Sequence, residues 1–231
     1  MKTILTARDI HKTYQTGEVA THALRGVDLE LHAGEFTAIA GPSGSGKSTL
    51  LHILGGLDRP NQGEVWLEDS RIDGLSFNEL ANLRLTHFGF VFQAYNLIPV
   101  LTALENAAFV LELQGVPRRE REARALGALE ILGIAELAGR RPNQLSGGQQ
   151  QRVAVARALA ANPRLILADE PTANLDSKTG LALIEHMKRL NSEGGVTFLF
   201  STHDPRLLSH VTRTVYLEDG KIVKDSTPQA A

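Results

Sequence analysis

A glycine-rich segment, GPSGSGKST at Gly41–Thr49, constrains the fold of this 231-residue chain more than any other feature. The apolar run Phe36–Ala40 before it has the character of a buried strand, and Ser48–Leu54 has the character of a helix. A strand, a glycine-rich turn and a helix in this order direct backbone N–H groups and the positive end of the helix at one point. The spacing G-x-x-x-x-G-K-S is that of a phosphate-binding loop. We therefore predict an α/β fold built around this loop.

Each residue type in the loop has a chemical role. Glycines let backbone N–H groups turn inward around phosphate oxygens. Lys47 is expected to reach the β- and γ-phosphates, and Ser48 to offer its hydroxyl to a magnesium ion that bridges them. The residues that we predict to contact the nucleotide in this segment are Gly41, Ser43, Gly44, Ser45, Gly46, Lys47, Ser48 and Thr49.

A second segment, LILADE at Leu165–Glu170, is an apolar strand that ends in two adjacent carboxylates. The carboxyl edge of a parallel sheet is where ligands bind in α/β folds, so these carboxylates are placed beside the phosphate loop. We assign Asp169 to magnesium, through its water shell, and Glu170 to the attacking water as general base. A solvated acidic turn is the alternative for the segment taken alone.

Patterning along the rest of the chain predicts helices and strands in alternation. The predicted strands are 27–31, 36–40, 64–67, 87–92, 165–168 and 196–200, with a hairpin turned at Asp219-Gly220. The predicted helices are 48–54, 101–114, 118–132, 149–160 and 178–190. The expected fold is a phosphate-loop NTPase core with a mixed parallel sheet, an N-terminal antiparallel β subdomain and an inserted helical subdomain. Residues 1–93 and 159–231 form the expected core, and residues 94–158 the insert.

Composition limits the classes of partner and compartment. The formal net charge is −2, so binding to nucleic acid is not expected without a local basic patch. The arginines of 118–124 alternate with Glu120 and Glu122 at helical spacing, which predicts a solvated face of ion pairs. The chain has no cysteine, which fits a reducing compartment, and neither a secretory signal nor a membrane-spanning run is predicted.

The segment LSGGQ at Leu145–Gln149, followed by QQRVAVARAL, narrows the class. Taken alone it is a helix start capped by Ser146. Together with the phosphate loop and the carboxylates, it resembles the signature sequence of ABC ATPases. The resemblance implies that ATP is the substrate, that Mg²⁺ is the cofactor and that the chain forms a homodimer. It also implies that Ser146, Gly147, Gly148 and Gln149 contact the γ-phosphate bound on the opposite subunit.

Smaller motifs occur in the order that this family shows. Tyr14 matches an aromatic that stacks on adenine, and Gln93, in FVFQAYNLIP, matches a glutamine that touches magnesium and water and begins the helical insert. Asn174–Asp176 matches a loop that crosses the dimer interface, and His203 matches a histidine that contacts the γ-phosphate. The alternatives are local packing for Tyr14, a polar loop residue for Gln93 and a structural histidine. The resemblance thus implies Lys47, Gln93, Glu170 and His203 as catalytic residues, and Ser48, Gln93 and Asp169 as metal ligands.

Two further segments, LHILGGLDRPNQGEV and NLIPVLTALEN, resemble the branch of lipoprotein-releasing and macrolide-efflux ATPases. Ala173 and Gln150 depart from that branch, and Ala173 is of interest because alanine resists a positive φ. The resemblance implies a transmembrane permease that docks near Gln93 and the helical subdomain, with Ala94–Pro99 as the candidate groove. The ATPase would then sit at the cytoplasmic face of the inner membrane. A cell-division ATPase that signals to cell-wall enzymes, a soluble mechanical ATPase and a regulatory binding module are the alternatives.

Overall fold

The computed structural model describes residues 2–17 and 19–226, and its strands form two sheets. The first is antiparallel, with the order β2-β1-β4-β5. Two long strands, β1 (Thr3–Thr16) and β2 (Val19–His32), form its main hairpin. The remaining strands are β4 (Gln62–Leu67) and β5 (Ser70–Arg71). This sheet confirms the predicted N-terminal antiparallel β subdomain.

The second sheet has six strands in the order β10-β9-β3-β8-β7-β6. Parallel pairing joins β3 to β8 and β9, and joins β7 to β6 and β8, while β10 is antiparallel to β9. The strands are β3 (Phe36–Ala40), β6 (Phe88–Val91), β7 (Leu165–Ala168), β8 (Thr197–Thr202), β9 (Arg213–Glu218) and β10 (Lys221–Ser226). The mixed, mainly parallel sheet confirms the predicted class of the core.

Within residues 2–17 and 19–226, six α-helices cover the sheets, and three short 3₁₀ turns lie in the connecting segments. They are α1 (Lys47–Leu54), α2 (Phe77–His87), α3 (Ala103–Leu113), α4 (Arg118–Ile131), α5 (Gly147–Ala160) and α6 (Ser177–Gly194). On α4, ion pairs join Arg118 to Glu122 and Arg124 to Glu120, as the charge pattern predicts. Of the residues that the structure describes, none belongs to a helix long and apolar enough to cross a membrane.

The central strand β3 separates two hydrophobic clusters because its alternate side chains point to opposite faces. Phe36 and Ala38 join the cluster formed with α3–α6, and Ile39 joins the cluster formed with α1 and the antiparallel sheet. Both faces of β3 are therefore covered, which is why its sequence is almost uniformly apolar. Helices α3 and α4 lie within the predicted insert, and α5 extends two residues past its predicted end. The limits at residues 94 and 158 stay a prediction.

The structure corrects the predicted elements at three places, one of which is the short strand β5, absent from the prediction. Helix α2 is absent from the prediction, and His87, predicted to begin a strand, is the last residue of that helix. Only Leu80 of α2 is buried, so its hydrophobic periodicity is weak. The capping box of Ser76 and Glu79 is the signal that could have identified its start. Strand β1 is also absent from the prediction, because its polar run and its register shifts obscure the alternation of a strand.

Candidate nucleotide-binding and hydrolysis site

The segments with predicted chemistry meet at one edge of the parallel sheet. The phosphate loop follows β3, Asp169 and Glu170 follow β7, and His203 follows β8. Since parallel strands end at the same edge, these side chains converge. A cavity of about 530 Å³ lies there, lined by Tyr14, Ser43, Gly44, Gly46, Lys47, Ser48, Thr49, Gln93, Glu170 and His203, among others. Its size and polar lining suit a nucleotide.

Close backbone contacts explain the glycines of the loop. Gly41 has a φ of 154° and Gly46 a φ of 104°. A Cβ atom at Gly41 would overlap the carbonyl oxygen of Leu217, and one at Gly46 would overlap that of Ala23 in β2. Gly46 is the N-cap of α1 and provides no side-chain hydrogen bond, so the first N–H groups of the helix are left for an anion.

The side chain of Lys47 is held in position by the first residues of the phosphate loop. Its ammonium group donates hydrogen bonds of 2.9 Å to the carbonyl oxygens of both Gly41 and Pro42. Only 6% of the side chain is exposed, and Glu170 Oε1 lies 3.8 Å from the ammonium nitrogen. A phosphate group that enters the loop would therefore meet a desolvated cation at a fixed place.

Asp169 has two hydroxyl partners. Ser48 Oγ donates to Asp169 Oδ1 at 2.8 Å, and Ser201 Oγ of β8 donates to the same oxygen at 2.7 Å. The hydroxyl of Ser48 and the carboxylate of Asp169 are hard oxygen ligands of the kind that Mg²⁺ prefers, so the residues present fit that ion. Ser201 was not among the predicted site residues. A serine inside the fully buried strand β8 is the only signal that the sequence gives for it.

Glu170 has a constrained backbone and an oriented side chain. Its φ is 46°, a left-handed conformation that is uncommon for a residue with a side chain, and its N–H donates to Ser201 Oγ at 2.8 Å. Oε2 lies 2.9 Å from His203 Nδ1. An ionised carboxylate only accepts hydrogen bonds, so His203 Nδ1 is the donor when Glu170 is charged. The carboxylate is thus oriented for proton transfer at the cavity.

Gln93 lies at the junction between the cavity and α3–α5. Its carbonyl oxygen accepts a 2.8 Å hydrogen bond from Asn174 Nδ2. After Ala94, Tyr95 and Asn96 are left-handed, and their carbonyl oxygens accept hydrogen bonds from Arg157 of α5 at 3.0 and 2.6 Å. Burial lowers the pKa of Arg157. No sequence pattern distinguishes Arg157, since an arginine in a helix of this composition is ordinarily a surface residue.

The signature segment forms the start of α5. Ser146 is the N-cap, its Oγ accepting from Gln149 N–H at 3.3 Å while Gln149 Oε1 accepts from Ser146 N–H at 2.8 Å. Among the described residues, those that line the phosphate-loop cavity include none of Ser146–Gln149. Within one chain the second glycine-based helix start is therefore separate from the first, as expected if it meets the nucleotide of another subunit.

The loop between β7 and α6 holds the other residues expected at a dimer interface. Asp176 is the N-cap of α6, and its carboxylate accepts from the N–H groups of Lys178 and Thr179 at 3.1 Å each. It lines a smaller cavity together with Glu170 and His203. Ala173, where the related branch has glycine, does not have a positive φ, so alanine causes no backbone strain at this position.

A family model and several known proteins are similar in sequence to this chain. A family model described as ABC transporter matches residues 24–173. An uncharacterised ABC transporter ATP-binding protein of Thermotoga maritima is 50% identical over 222 residues, which are 96% of this chain and 94% of that protein. The macrolide export ATP-binding/permease protein MacB of Nitrobacter winogradskyi is 48% identical over 95% of this chain, which spans only 34% of MacB.

A solved structure is also similar over nearly the whole chain. It is the dimeric post-hydrolysis state of the ATP-binding cassette MJ0796 of Methanocaldococcus jannaschii, bound to ADP and Pi. The TM-score is 0.90 at 45% sequence identity, and the match covers 99% of this chain and 100% of the other.

Proposed function

Because this chain belongs to the ABC transporter family of ATP-binding proteins, we propose that it is the ATP-hydrolysing motor subunit of a membrane export complex. The observation that carries the proposal is the convergence of the phosphate loop, Glu170 and His203 on one cavity, with Asp169 hydrogen-bonded to Ser48 of that loop. ATP hydrolysis agrees with the ADP and Pi that the MJ0796 structure contains. The alternatives without transport have no comparable support.

We infer the following division of labour in hydrolysis. The loop N–H groups and Lys47 hold the β- and γ-phosphates, while Ser48, Asp169 and Gln93 hold Mg²⁺. When bound, that ion offsets the negative charge of the phosphates. Glu170 orients a water molecule, and its carboxylate takes a proton as the water oxygen bonds to the γ-phosphorus and the bridging oxygen leaves with ADP. His203 holds Glu170 in place, at 2.9 Å.

Dimerisation around ATP follows from the separation of the two helix starts. Ser146–Gln149 of one subunit is proposed to bind the γ-phosphate held in the loop of the other, so that ATP joins the subunits. The dimeric state of MJ0796 supports this arrangement for the family. Removal of the γ-phosphate would then release the contact and let α3–α5 move relative to the core.

A groove between α2 and α3 is the proposed docking site of the permease. Its volume is about 300 Å³, and its lining includes Phe90, Phe92, Phe109, Leu113, Arg84, Asn96 and Arg157. Leu57 and Leu113 both line the groove and are 42% and 58% exposed, and apolar side chains that are exposed together in a groove mark interaction sites. Asn96 belongs to the predicted segment Ala94–Pro99, which connects the groove to Gln93 through the hydrogen bonds of Arg157.

Charge predicts the chemistry of the segment that fills this groove. Arg84 and Arg157 both line it, burial lowers the pKa of both, and neither forms an ion pair within residues 2–17 and 19–226. Their hydrogen bonds go to backbone carbonyl oxygens instead. A permease segment with apolar side chains and an acidic group would neutralise these cations. The chain would thereby be held at the cytoplasmic face of the inner membrane.

Capture of the complex tests the proposal. Tagged Glu170→Gln is expressed in the native host, trapped with ATP and purified from detergent-solubilised membranes. Recovery of a polytopic permease is expected, and Arg84→Glu in the same background should reduce it, since an acidic partner would be repelled. Arg119→Glu, which changes an exposed arginine of α4, is the matched control and should not reduce the recovery of the permease. Recovery of only ribosomes, DNA or soluble partners would replace the export motor with a mechanical ATPase.

A further inference from the structure

A carboxylate outside the phosphate loop holds the aromatic ring at the cavity. Tyr14 of β1 is 39% exposed and lines the cavity, and its hydroxyl donates a 2.7 Å hydrogen bond to Asp58 Oδ2. The other oxygen, Oδ1, accepts from the ammonium group of Lys12 and from the N–H of Arg59, both at 2.7 Å. Lys12 also donates to the carbonyl oxygen of Arg59. Asp58 therefore connects two side chains of β1 to one loop.

The two faces of the Tyr14 ring are not equivalent. The Lys12 ammonium lies 4.8 Å from the ring centroid, a distance at which a cation is attracted to the face of an aromatic ring. Lys12 is buried and is fixed by its two hydrogen bonds, so it stays on that side. A planar base can stack only on the opposite face.

Asp58 is well suited to fix this arrangement. Burial acts to raise its pKa, but hydrogen bonds from Lys12 and Tyr14 outweigh it, and the pKa lies below its ordinary value. The carboxylate is therefore ionised at neutral pH and can accept both hydrogen bonds. Burial and the hydrogen bond to Asp58 raise the pKa of Tyr14, so the phenol keeps the proton that it donates.

The loop that carries Asp58 is joined to the helix of the phosphate loop. The N–H groups of Leu57 and Asp58 donate to the carbonyl oxygen of His52 in α1, at 2.8 and 3.2 Å. The ring of Tyr14 is thus fixed relative to the same helix whose N-terminus faces the phosphates. An exposed aromatic side chain without such a tether would lose rotational freedom on binding, which weakens affinity.

We propose that Asp58 is a positioning residue for recognition of the nucleotide base. It fixes the Tyr14 ring at a set distance from the phosphate loop, with the face opposite Lys12 open to the base. This inference rests on the proposed ATP-binding function and on the family resemblance, which implies that Tyr14 stacks on adenine. The alternative is that Asp58 only attaches its loop to β1. Two other hydrogen bonds already make that attachment: Thr13 N–H donates to Asn61 Oδ1 at 2.6 Å, and Asn61 N–H donates to the His11 carbonyl oxygen at 2.8 Å.

The test compares Asp58→Ala, Tyr14→Phe, the double variant and Tyr14→Ala in the full chain. Calorimetry gives the Kd for ADP, and steady-state hydrolysis gives KM and kcat for ATP. Asp58→Ala and Tyr14→Phe are each expected to raise Kd and KM about three- to tenfold, the scale of one ordinary hydrogen bond, because the lost bond acts on the base only through the ring. The kcat should change much less. The double variant should be no weaker than the weaker single variant, because both changes remove the same hydrogen bond.

Inorganic tripolyphosphate, which has no base, separates positioning from a general structural effect. Its inhibition constant should stay at the wild-type value in Asp58→Ala and Tyr14→Phe. Asp69→Asn, at an exposed carboxylate in another turn, is the control and should change the affinity for neither ADP nor tripolyphosphate. Equal weakening of ADP and tripolyphosphate would overturn the positioning role. If Tyr14→Ala loses ADP affinity while Asp58→Ala and Tyr14→Phe keep it, the role of the hydrogen bond to Asp58 is overturned and the contact between Tyr14 and the base remains. No effect in Tyr14→Ala would overturn both.

Discussion

Replacement of Glu170 by glutamine tests the assignment of the general base most directly. The substitution keeps the size of a side chain that is only 12% exposed and removes its charge. The amide oxygen can still accept from His203 Nδ1, so the 2.9 Å contact need not be lost. The left-handed backbone is held by the hydrogen bond to Ser201, which the side chain does not share. The local structure should therefore survive.

The expected magnitude follows from what the amide cannot do. It has no significant basicity, so the water attacks without a proton acceptor, and a lost general base lowers the rate by about 10²- to 10⁴-fold. A decrease of 10² corresponds to about 2.7 kcal/mol in the activation free energy. ATP affinity should not fall, because Lys47 loses a negative neighbour at 3.8 Å and remains free to contact the phosphates.

Phosphate release measures the rate, and size-exclusion chromatography with light scattering measures the ATP-dependent dimer. We expect Glu170→Gln to release phosphate at least about 10²-fold more slowly than wild type and to accumulate as a dimer with ATP. Glu136→Gln, at an exposed glutamate in a 3₁₀ turn, is the matched control and should hydrolyse ATP normally. Near-normal turnover in Glu170→Gln would refute the assignment and would transfer the role of base to another group.

Three further predictions follow from the site and from α6. Lys47→Ala should raise the Kd for ADP, measured by calorimetry, about tenfold or more, since a desolvated ammonium is removed. Ser146→Arg in the Glu170→Gln background should abolish the ATP-dependent dimer while the Kd for ADP stays unchanged, and persistence of the dimer would exclude the contact between subunits. Burial, Arg152 and Arg189 lower the pKa of His186 below its ordinary 6.5, so the unfolded chain binds this proton first as the pH falls. Acidification from about pH 7.5 to 5.5 should therefore destabilise the fold, and urea denaturation of His186→Gln should show a weaker decline.

Most of the elements could be predicted because their patterns are local. The buried strands around the sheet centre are short apolar runs, and α5 begins with two glycines directly after a serine cap. Helix α2 and strand β1 could not be predicted in this way. Few of their side chains face the core in a regular period, and tertiary packing outweighs the weak local preference.

The candidate site was predictable where one segment carries the chemistry. The phosphate loop and the pair Asp169-Glu170 each occupy a few adjacent residues, and their spacing alone indicates phosphate and metal binding. Ser201 and Asp58 are different, because each acts on a partner that is distant in the sequence. Ser201, in β8, contacts Asp169 and Glu170, which follow β7. Asp58, in the loop after α1, contacts Lys12 and Tyr14 of β1.

The sequence by itself determined the chemistry of this protein: a phosphate loop, two carboxylates at a strand end and a second glycine-containing helix start. These features depend on residue type and on short spacing, which the chain fixes locally. Only the tertiary structure decided how they act together. The left-handed Glu170, the hydrogen bond between Tyr14 and Asp58, and the groove arise where distant segments pack, and no local pattern encodes such packing. The groove holds two arginines that pair with no carboxylate in the described part of the chain.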